Sequence, residues 1–158
     1  MTVPSEQSLP ALFLICRSRL RLCALPLQFV RETMRALALE AVPHMPPFLL
    51  GVSVIRGQVV PVVDLACLTT GASPMPAERY VTLVLGERQV ALAVDDVIGV
   101  HSLPPSALGD VPPLLESAEA GMLSALTMLD AELLLVLQAT HLIPDQLWPL
   151  LAAQAAAA

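Results

Sequence analysis

Four pairs of short apolar runs, each pair separated by a few turn-type residues, constrain the fold of this chain more than any other feature. Runs of Val and Leu this short, interrupted by turn residues about every dozen positions, are typical of β-strands rather than helices. The predicted hairpins pair residues 11–16 with 20–25, 52–55 with 59–63, 80–85 with 89–94, and 126–129 with 132–137. We therefore expect a mainly β chain.

The residues between the paired runs indicate how tightly each hairpin turns. Gly57 lies between the second pair and Gly86 between the third. Glycine suits such turns because it adopts positive φ without steric cost. The fourth turn is Asp130-Ala131, and alanine disfavours positive φ, so its turn type stays open.

The connector at residues 69–78, "TTGASPMPAE", separates the second hairpin from the third and is predicted to mark a subdomain boundary. We expect two SH3-like five-stranded β-barrels, each formed by two hairpins and an extra strand, because closure buries many Val and Leu residues without leaving long edges. Subdomain one is expected at roughly 26–78 and subdomain two at roughly 79–138. The N-terminal hairpin 11–25 and a C-terminal helix at 140–155 would complete the barrels.

Two segments have helical periodicity. Residues 26–37, "PLQFVRETMRAL", begin with proline and place apolar residues on one helical face, which predicts a short amphipathic helix after the first hairpin. The apolar residues of that face are Leu27, Val30, Met34 and Leu37. From Thr140 onward, prolines at 144 and 149 predict a broken C-terminal helix anchored by Trp148.

Hydropathy and cysteine usage predict a cytoplasmic protein. The hydrophobic fraction is 56%, but the longest uncharged stretch, residues 41–55, contains three prolines and is shorter than the roughly 20 apolar residues of a membrane-spanning helix. Glu6, and no basic residue, precedes the first apolar run, unlike a secretory signal. Three cysteines without a CxxC pair fit reduced thiols. Whether Cys16 and Cys23 pair across the first hairpin stays open.

The charge distribution argues against nucleic acid as a partner. The net charge is −6, all eight basic residues are arginines, and all of them lie at or before Arg88. Nucleic-acid binding depends on cations that neutralise phosphates and on exposed aromatic side chains beside them. This chain contains three Phe, one Tyr and one Trp, so we expect no nucleic-acid partner.

Catalytic and ligand-binding motifs are absent from the sequence. Its glycines form neither a GxGxxG nor a phosphate-binding loop, lysine does not occur, and neither GxSxG nor HExxH is present. The histidines at 44, 101 and 141 lack ligand neighbours at metal-binding spacing. We therefore expect no enzyme, no cofactor and no metal. The rival hypothesis, an enzyme with an unrecognised site, requires a deep polar pocket with at least two titratable groups of shifted pKa.

Arg17, Ser18, Arg19 and Arg21 form a basic cluster at the first predicted turn. It is either a patch for an acidic partner or a hairpin turn whose charges are solvated, and the second interpretation is favoured.

The segment at residues 48–65, "FLLGVSVIRGQVVPVVDL", resembles the CheW-like domain family, with its apolar-Gly-Val segment, its Arg-Gly turn and its V-P-V-V-D-L run. Residues 13–34 resemble the first hairpin of the family and the V-R-E-V helix after it. Residues 91–100, "ALAVDDVIGV", resemble its V-D-x-V-x-G-V strand, and residues 129–142 resemble its last hairpin. The resemblance spans nearly the whole chain.

The resemblance implies a stand-alone adaptor without catalytic activity. Members of the family couple the cytoplasmic tip of a methyl-accepting chemoreceptor to the regulatory domain of a CheA-type histidine kinase, and they reach the membrane only through receptors. The turn Arg17-Ser18-Arg19 replaces a glycine-containing acidic turn common in the family, and "DLACLTTG" lacks the basic residue that often follows D-L. The alternative is therefore a divergent scaffold for a non-flagellar pathway, such as surface motility or gene regulation, with altered kinase or receptor binding.

The resemblance also implies which residues bind the receptor. The receptor-binding positions of the family fall on Val30, Glu32, Gly51, Val52 and Arg56. Met34 and Leu50 are expected to line the same apolar groove, which would lie between the two subdomains. The kinase would bind the surface of the second subdomain, where no residue is assigned. Without the resemblance, Arg56 would be interpreted as a turn charge in water.

Overall fold

A computed structural model describes residues 11–110 and 122–157, and within these ranges it contains ten strands and two α-helices. The strands of the first half are β1 (Ala11–Ser18), β2 (Arg21–Pro26), β3 (Val30–Arg35), β4 (Leu49–Ile55) and β5 (Gln58–Asp64). Those of the second half are β6 (Arg79–Leu85), β7 (Arg88–Val94), β8 (Asp96–Leu103), β9 (Leu123–Leu129) and β10 (Glu132–Leu137). The helices are α1 (Leu65–Thr70) and α2 (Trp148–Ala157). Residues 1–10, part of the segment used to argue against a secretory signal, lie outside the described ranges.

The strands form two five-stranded sheets, which confirms the predicted mainly β fold with two five-stranded units and a C-terminal helix. The first sheet has the order β8-β1-β2-β10-β9 and the second has the order β3-β6-β7-β5-β4. Each sheet contains one parallel pair, β2 with β10 and β5 with β7, and its other neighbours are antiparallel. All four predicted hairpins are present.

Each half of the chain contributes to both sheets. Hairpin β1–β2 lies in the first sheet, whereas β3, β4 and β5 lie in the second; hairpin β6–β7 lies in the second, whereas β8, β9 and β10 return to the first. The structure therefore corrects the division predicted at residues 69–78. Hairpin β6–β7 belongs with β4 and β5, because β7 pairs in parallel with β5, and such a long-range pairing leaves no local signal in the sequence.

In each sheet, the segment that follows one edge strand bonds to the strand at the opposite edge. The chain leaving β3 reaches β4 at the opposite edge, where Glu40 and Val52 exchange two backbone hydrogen bonds of 2.9 Å. The chain leaving β8 likewise reaches β9, where Gly109 and Leu126 exchange bonds of 2.6 and 3.1 Å. Bonding the two edges of a sheet in this way protects them from pairing with other chains.

The helix predicted at residues 26–37 is wrong over most of its length. A single 3-10 turn, Leu27–Phe29, follows the first hairpin, and Val30–Arg35 is strand β3. Val30 and Met34 are spaced four residues apart, which suits one face of a helix and also one side of a strand. Pairing of β3 with β6 decides the outcome, because tertiary contacts override weak local preference.

The hairpin turns show where positive φ is used. Arg56 and Gly57 both have positive φ, 50° and 76°, and so do Asp130 and Ala131, at 49° and 67°. Two consecutive positive φ values are typical of the tight turn that matches strand twist. The fourth turn is therefore of this type despite its alanine, which strains the backbone there.

Three apolar clusters hold the sheets together. One fills the inside of the first sheet around Ile15 and Leu134, and another fills the inside of the second around Tyr80 and Val62. The third and largest, here called the shared core, lies between the sheets and includes Leu25, Leu83, Leu92, Leu137 and Trp148. The two sheets are therefore joined by close-packed side chains.

Both helices contribute to the shared core. Trp148 at the start of α2 is buried, as predicted for the anchor of the C-terminal helix. The Arg88 guanidinium lies 5.0 Å from the centre of the Trp148 ring, which is cation-π geometry. The short helix α1 follows Asp64, whose side chain accepts a hydrogen bond from the Cys67 amide. Within the ranges given above, no helix is long and apolar enough to cross a membrane.

Candidate functional site

Arg56 and Glu32 form the most specific polar contact on the exposed surface of the second sheet. Arg56 lies in the turn between β4 and β5, and Glu32 lies on β3. The guanidinium donates from Nε to Oε1 of Glu32 at 2.8 Å and from Nη2 to Oε2 at 2.6 Å. This bidentate geometry fixes the orientation of both side chains. The structure thus brings together two of the residues that the family resemblance selected.

The electrostatics of this pair keep both groups charged. Hydrogen bonding from Arg56, with a smaller contribution from the charge of Arg31, lowers the pKa of Glu32 from its usual value. The pKa of Arg56 is raised by the same contact. Because the pKa of Glu32 is depressed in the fold, the contribution of the pair is present above the ordinary pKa of a glutamate. It is lost as the pH falls through the lowered value.

The Arg56 side chain remains available for a partner. It is 68% exposed, whereas that of Glu32 is 21% exposed. Its contacts with Glu32 use Nε and Nη2, and none of the side-chain hydrogen bonds found in residues 11–110 and 122–157 uses Nη1. Beside the pair is a cavity of about 70 Å³, far below the roughly 300–1,000 Å³ of small-molecule sites. This cavity is therefore too small to enclose a typical small-molecule ligand.

Gly51 and Val52 lie on β4, the strand that leads into the turn with Arg56. Both are buried on β4, and Val52 forms the two backbone hydrogen bonds with Glu40. Gly51 has a φ of 150°, and a Cβ atom there would lie 2.3 Å from the Glu40 carbonyl oxygen. These two positions therefore hold the edge of the sheet in place. Their role in receptor binding stays a prediction.

The three remaining residues predicted for the site are half-buried. Val30 packs against the shared core, and Met34 and Leu50 pack against the interior cluster of the second sheet. The apolar groove predicted between the subdomains is occupied by the shared core over its central part. What remains of it is an apolar strip at the outer edge of that core.

This strip contains residues that sequence reasoning did not select. Leu12 on β1 is 52% exposed, and Val100 on β8 is 52% exposed. Val100 lies opposite Leu14 and Leu12 lies opposite Ser102, so both point to the side of the first sheet that carries the shared core. Exposed and half-buried residues alternate along β8, but this is a pattern of burial and not of residue type, so it is visible only in the structure.

Two arginines of the basic cluster at the first turn, Arg17 and Arg19, form contacts within the protein. Arg17 forms a bidentate pair with Glu132, at 3.1 Å for both contacts. Arg19 donates from Nη2 to Oδ2 of Asp64 at 3.2 Å and to the Ser73 carbonyl at 2.9 Å. Neither an acidic-partner patch nor solvated turn charges describes these two arginines; together they fasten the first hairpin to the strands around it.

The Arg19–Asp64 contact joins the two sheets. Arg19 lies in the turn of the first sheet, and Asp64 ends β5 in the second. The Asp64 carboxylate is 5% exposed and also accepts hydrogen bonds from the amides of Cys67, at 3.2 Å, and Met75, at 3.1 Å. The Arg19 backbone amide donates to the Asp95 carboxylate, where the chain crosses from β7 to β8. The buried Asp64 carboxylate therefore connects the end of β5 to three other segments: the β1–β2 turn, helix α1 and the connector around Met75.

Two of the three cysteine thiols lie in the shared core. Cys16 and Cys23 lie opposite each other on β1 and β2, and both are fully buried in the shared core. Burial, with a smaller contribution from Cys23, raises the pKa of Cys16 well above its usual value. Burial likewise raises the pKa of Cys67. In the part of the chain that the structure describes, no three His, Cys, Asp or Glu side chains are grouped to hold a metal ion.

Comparison with known proteins gives consistent results for sequence and fold. The family model described as "CheW-like domain" matches residues 12–147. A probable chemotaxis protein CheW of Rhizobium etli is 27% identical over 111 residues, which are 69% of this chain and 72% of the relative. Protein FrzA of Myxococcus xanthus is 35% identical over 81 residues, which are 50% of this chain and 51% of FrzA.

A solved structure matches the fold. The scaffolding protein TtCheW of Thermoanaerobacter tengcongensis superposes with a TM-score of 0.73 over 84% of this chain and 92% of that one, at 19% sequence identity. This identity supports a conclusion about fold alone, whereas the family model covers most of the chain. With its two interleaved five-stranded sheets and its Arg-Gly turn on the second of them, the chain belongs to the CheW-like domain family.

Proposed function

We propose that this protein is a cytoplasmic adaptor that couples chemoreceptors to a CheA-type histidine kinase by non-covalent binding. The receptor tip would bind the second sheet around Glu32 and Arg56. The regulatory domain of the kinase would bind the part of residues 79–138 that lies in the first sheet, strands β8, β9 and β10. The protein would reach the membrane only through receptors, and no bond would be made or broken. Family membership supports the adaptor role, and the names of the relatives support chemotaxis-type signalling.

The observation that carries this proposal is the geometry of Arg56. Its guanidinium is held by Glu32 yet largely exposed, so it is oriented before a partner arrives. Nη1 can donate to a carboxylate or carbonyl oxygen of a receptor helix. Because the side chain is already ordered, less conformational entropy is lost when the partner binds.

A rigid protein with one binding surface for the receptor and another for the kinase would couple the two, and would do more than attach one of them. The two sheets share one core, and the Arg19–Asp64 contact joins them. A rigid connection of this kind keeps a receptor on one sheet and a kinase on the other at a fixed separation. A small displacement of the receptor can then change the position of the kinase.

The alternative, a divergent scaffold in a pathway other than flagellar chemotaxis, has one structural observation in its favour. The first turn carries Arg17 and Arg19, which form internal ion pairs with Glu132 and Asp64. If kinases of the flagellar pathway read this turn in other members of the family, this protein presents them with a different surface. Its output would then be surface motility or gene regulation.

Replacing Arg56 by glutamate tests the receptor site. We expect Arg56→Glu to weaken binding of a chemoreceptor tip from the same bacterium at least about tenfold, because it places a second carboxylate beside Glu32 and removes the donor. Binding is measured by titration calorimetry, and folding by circular dichroism. Arg21→Glu is the matched control, because Arg21 is an exposed strand residue of the other sheet. Equal binding by wild type and Arg56→Glu would refute the assignment.

A further inference from the structure

Two arginines on the second sheet lie opposite each other. Arg35 ends β3 and Arg79 begins β6, and they are register partners. The Ala36 amide donates to the Glu78 carbonyl at 2.9 Å, so pairing continues past them and fixes their register. Partners in such a pair have Cβ atoms about 5 Å apart, and like charges at that distance destabilise a sheet.

The charges of this pair are not neutralised within the described residues. Both side chains belong to exposed residues. Four arginines, at 17, 19, 56 and 88, form ion pairs in this part of the chain, and Arg35 and Arg79 are not among them. Asp95, which follows the β7 partner of Arg79, accepts a hydrogen bond from the Arg19 amide. Two adjacent cations thus persist in a protein whose net charge is −6.

The position of the pair points to an interaction surface. Thr33 and Val81 are the next partners on the same side of the two strands, and Val30 pairs with Leu83. Val81 and Leu83 belong to the shared core, against which Val30 also packs. The arginines therefore stand where the side of the sheet that carries the shared core runs out to solvent, beyond the exposed Thr33 and the half-buried Val30. Exposed charged residues of this kind form the rim of protein interfaces.

We propose that Arg35 and Arg79 bind carboxylates of a protein partner, and that this pair selects an acidic helix. A carboxylate between the two guanidinium groups accepts hydrogen bonds from both and removes their repulsion. The proposal deepens the proposed function, on which it rests for the kind of partner, by adding a chemical requirement: the bound segment carries acidic residues at the end that meets β3 and β6.

A binding role for the two arginines predicts two opposite effects of neutralising either of them: the free protein becomes more stable, and it binds its partner more weakly. A purely structural role does not predict this combination. Neutralising either arginine removes repulsion in the free protein, so Arg35→Gln and Arg79→Gln are each expected to raise the melting temperature by ~2 °C at low salt. The gain should disappear at about 1 M salt, where the Debye length is about 3 Å. The same variants should bind a chemoreceptor tip from the same bacterium about three- to tenfold more weakly. Arg21→Gln, on the first sheet, should change neither quantity.

A second experiment, a titration of labelled protein with peptides, locates the site without using a receptor. Wild-type protein labelled with ¹⁵N is titrated with a synthetic glutamate-rich helical peptide, with the same peptide carrying glutamine, and with a DNA oligonucleotide of equal charge. The glutamate peptide should shift the amides of residues 33–36 and 78–80, and the glutamine peptide should not. Shifts confined to other arginines, equal shifts with DNA, or unchanged melting of both variants would overturn the proposal. A wild type that fails to bind receptor but shows the expected shifts would instead contradict the proposed function.

Discussion

Gly51→Ala should destabilise the protein by roughly 3–5 kcal/mol, since strain and lost backbone hydrogen bonds add together. The new Cβ atom would lie 2.3 Å from the Glu40 carbonyl oxygen, and the φ of 150° is rarely adopted by a residue with a side chain. The Glu40 segment has to move away, and this breaks the two hydrogen bonds that join Glu40 to Val52. We expect receptor binding to fall as well, because β4 carries Arg56 at its end.

Gly57→Ala is the matched control for this prediction. Gly57 lies in the turn after β4 with a φ of 76°, and apart from the glycine and its two chain neighbours no heavy atom lies within 4 Å of the position of an added Cβ. Its cost should be limited to backbone strain of about 1 kcal/mol. Urea unfolding of the two variants gives the comparison. If Gly51→Ala costs no more than Gly57→Ala, the close approach of Glu40 to β4 is not what holds this edge.

Asp64→Ala should cost about 3–5 kcal/mol, because it removes the carboxylate that accepts three hydrogen bonds in a nearly water-free position. The amides of Cys67 and Met75 lose their side-chain acceptor, and the Arg19 guanidinium loses its carboxylate partner while it keeps the Ser73 carbonyl. Helix α1 also loses the side chain that caps its first turn. The segment at residues 71–78 should then exchange its amide hydrogens faster, since Arg19 and Asp64 hold Ser73 and Met75.

Asp145→Ala is the control for Asp64→Ala, because it removes an exposed ion pair and leaves the buried Asp64 contacts in place. Asp145 lies 3.7 Å from Arg88, but its side chain is 88% exposed. Surface pairs of this kind contribute little, so the variant should lie within about 0.5 kcal/mol of wild type. A double-mutant cycle with Arg19→Ala and Asp64→Ala measures the direct coupling. Equal stability of the Asp64 and Asp145 variants would show that the sheets are not fastened at Asp64.

The hairpins were predictable from sequence because their information is local. Alternating apolar residues and a turn glycine identify β4–β5 and β6–β7, and the turn at Asp130 and Ala131 adopts positive φ even without glycine. Strand β3 was missed, because Val30 and Met34 fit two periodicities and its partner β6 is about 50 residues away in the chain. The assignment of strands to sheets depends on the parallel pairs β2–β10 and β5–β7, which leave no sequence pattern.

The candidate site also has features that the sequence indicated and features that only the structure reveals. The family resemblance selected Glu32 and Arg56, and the structure brings them together. It also selected Gly51, whose role as a support became visible only from its distance to Glu40. The partnership of Arg19 with Asp64 joins residues 45 positions apart, and nothing in the sequence around either residue indicates it. The opposition of Arg35 and Arg79 likewise follows from strand register alone.

The most direct test of the account is sedimentation of the wild-type protein with a chemoreceptor tip and a kinase regulatory domain from the same bacterium. The account predicts that each partner binds alone with a Kd no weaker than roughly tens of micromolar, corresponding to about −6 kcal/mol or better. It also predicts that the three proteins together sediment as one complex, because the two proposed binding surfaces lie on different sheets. Displacement of one partner by the other, or no binding of either, would contradict it.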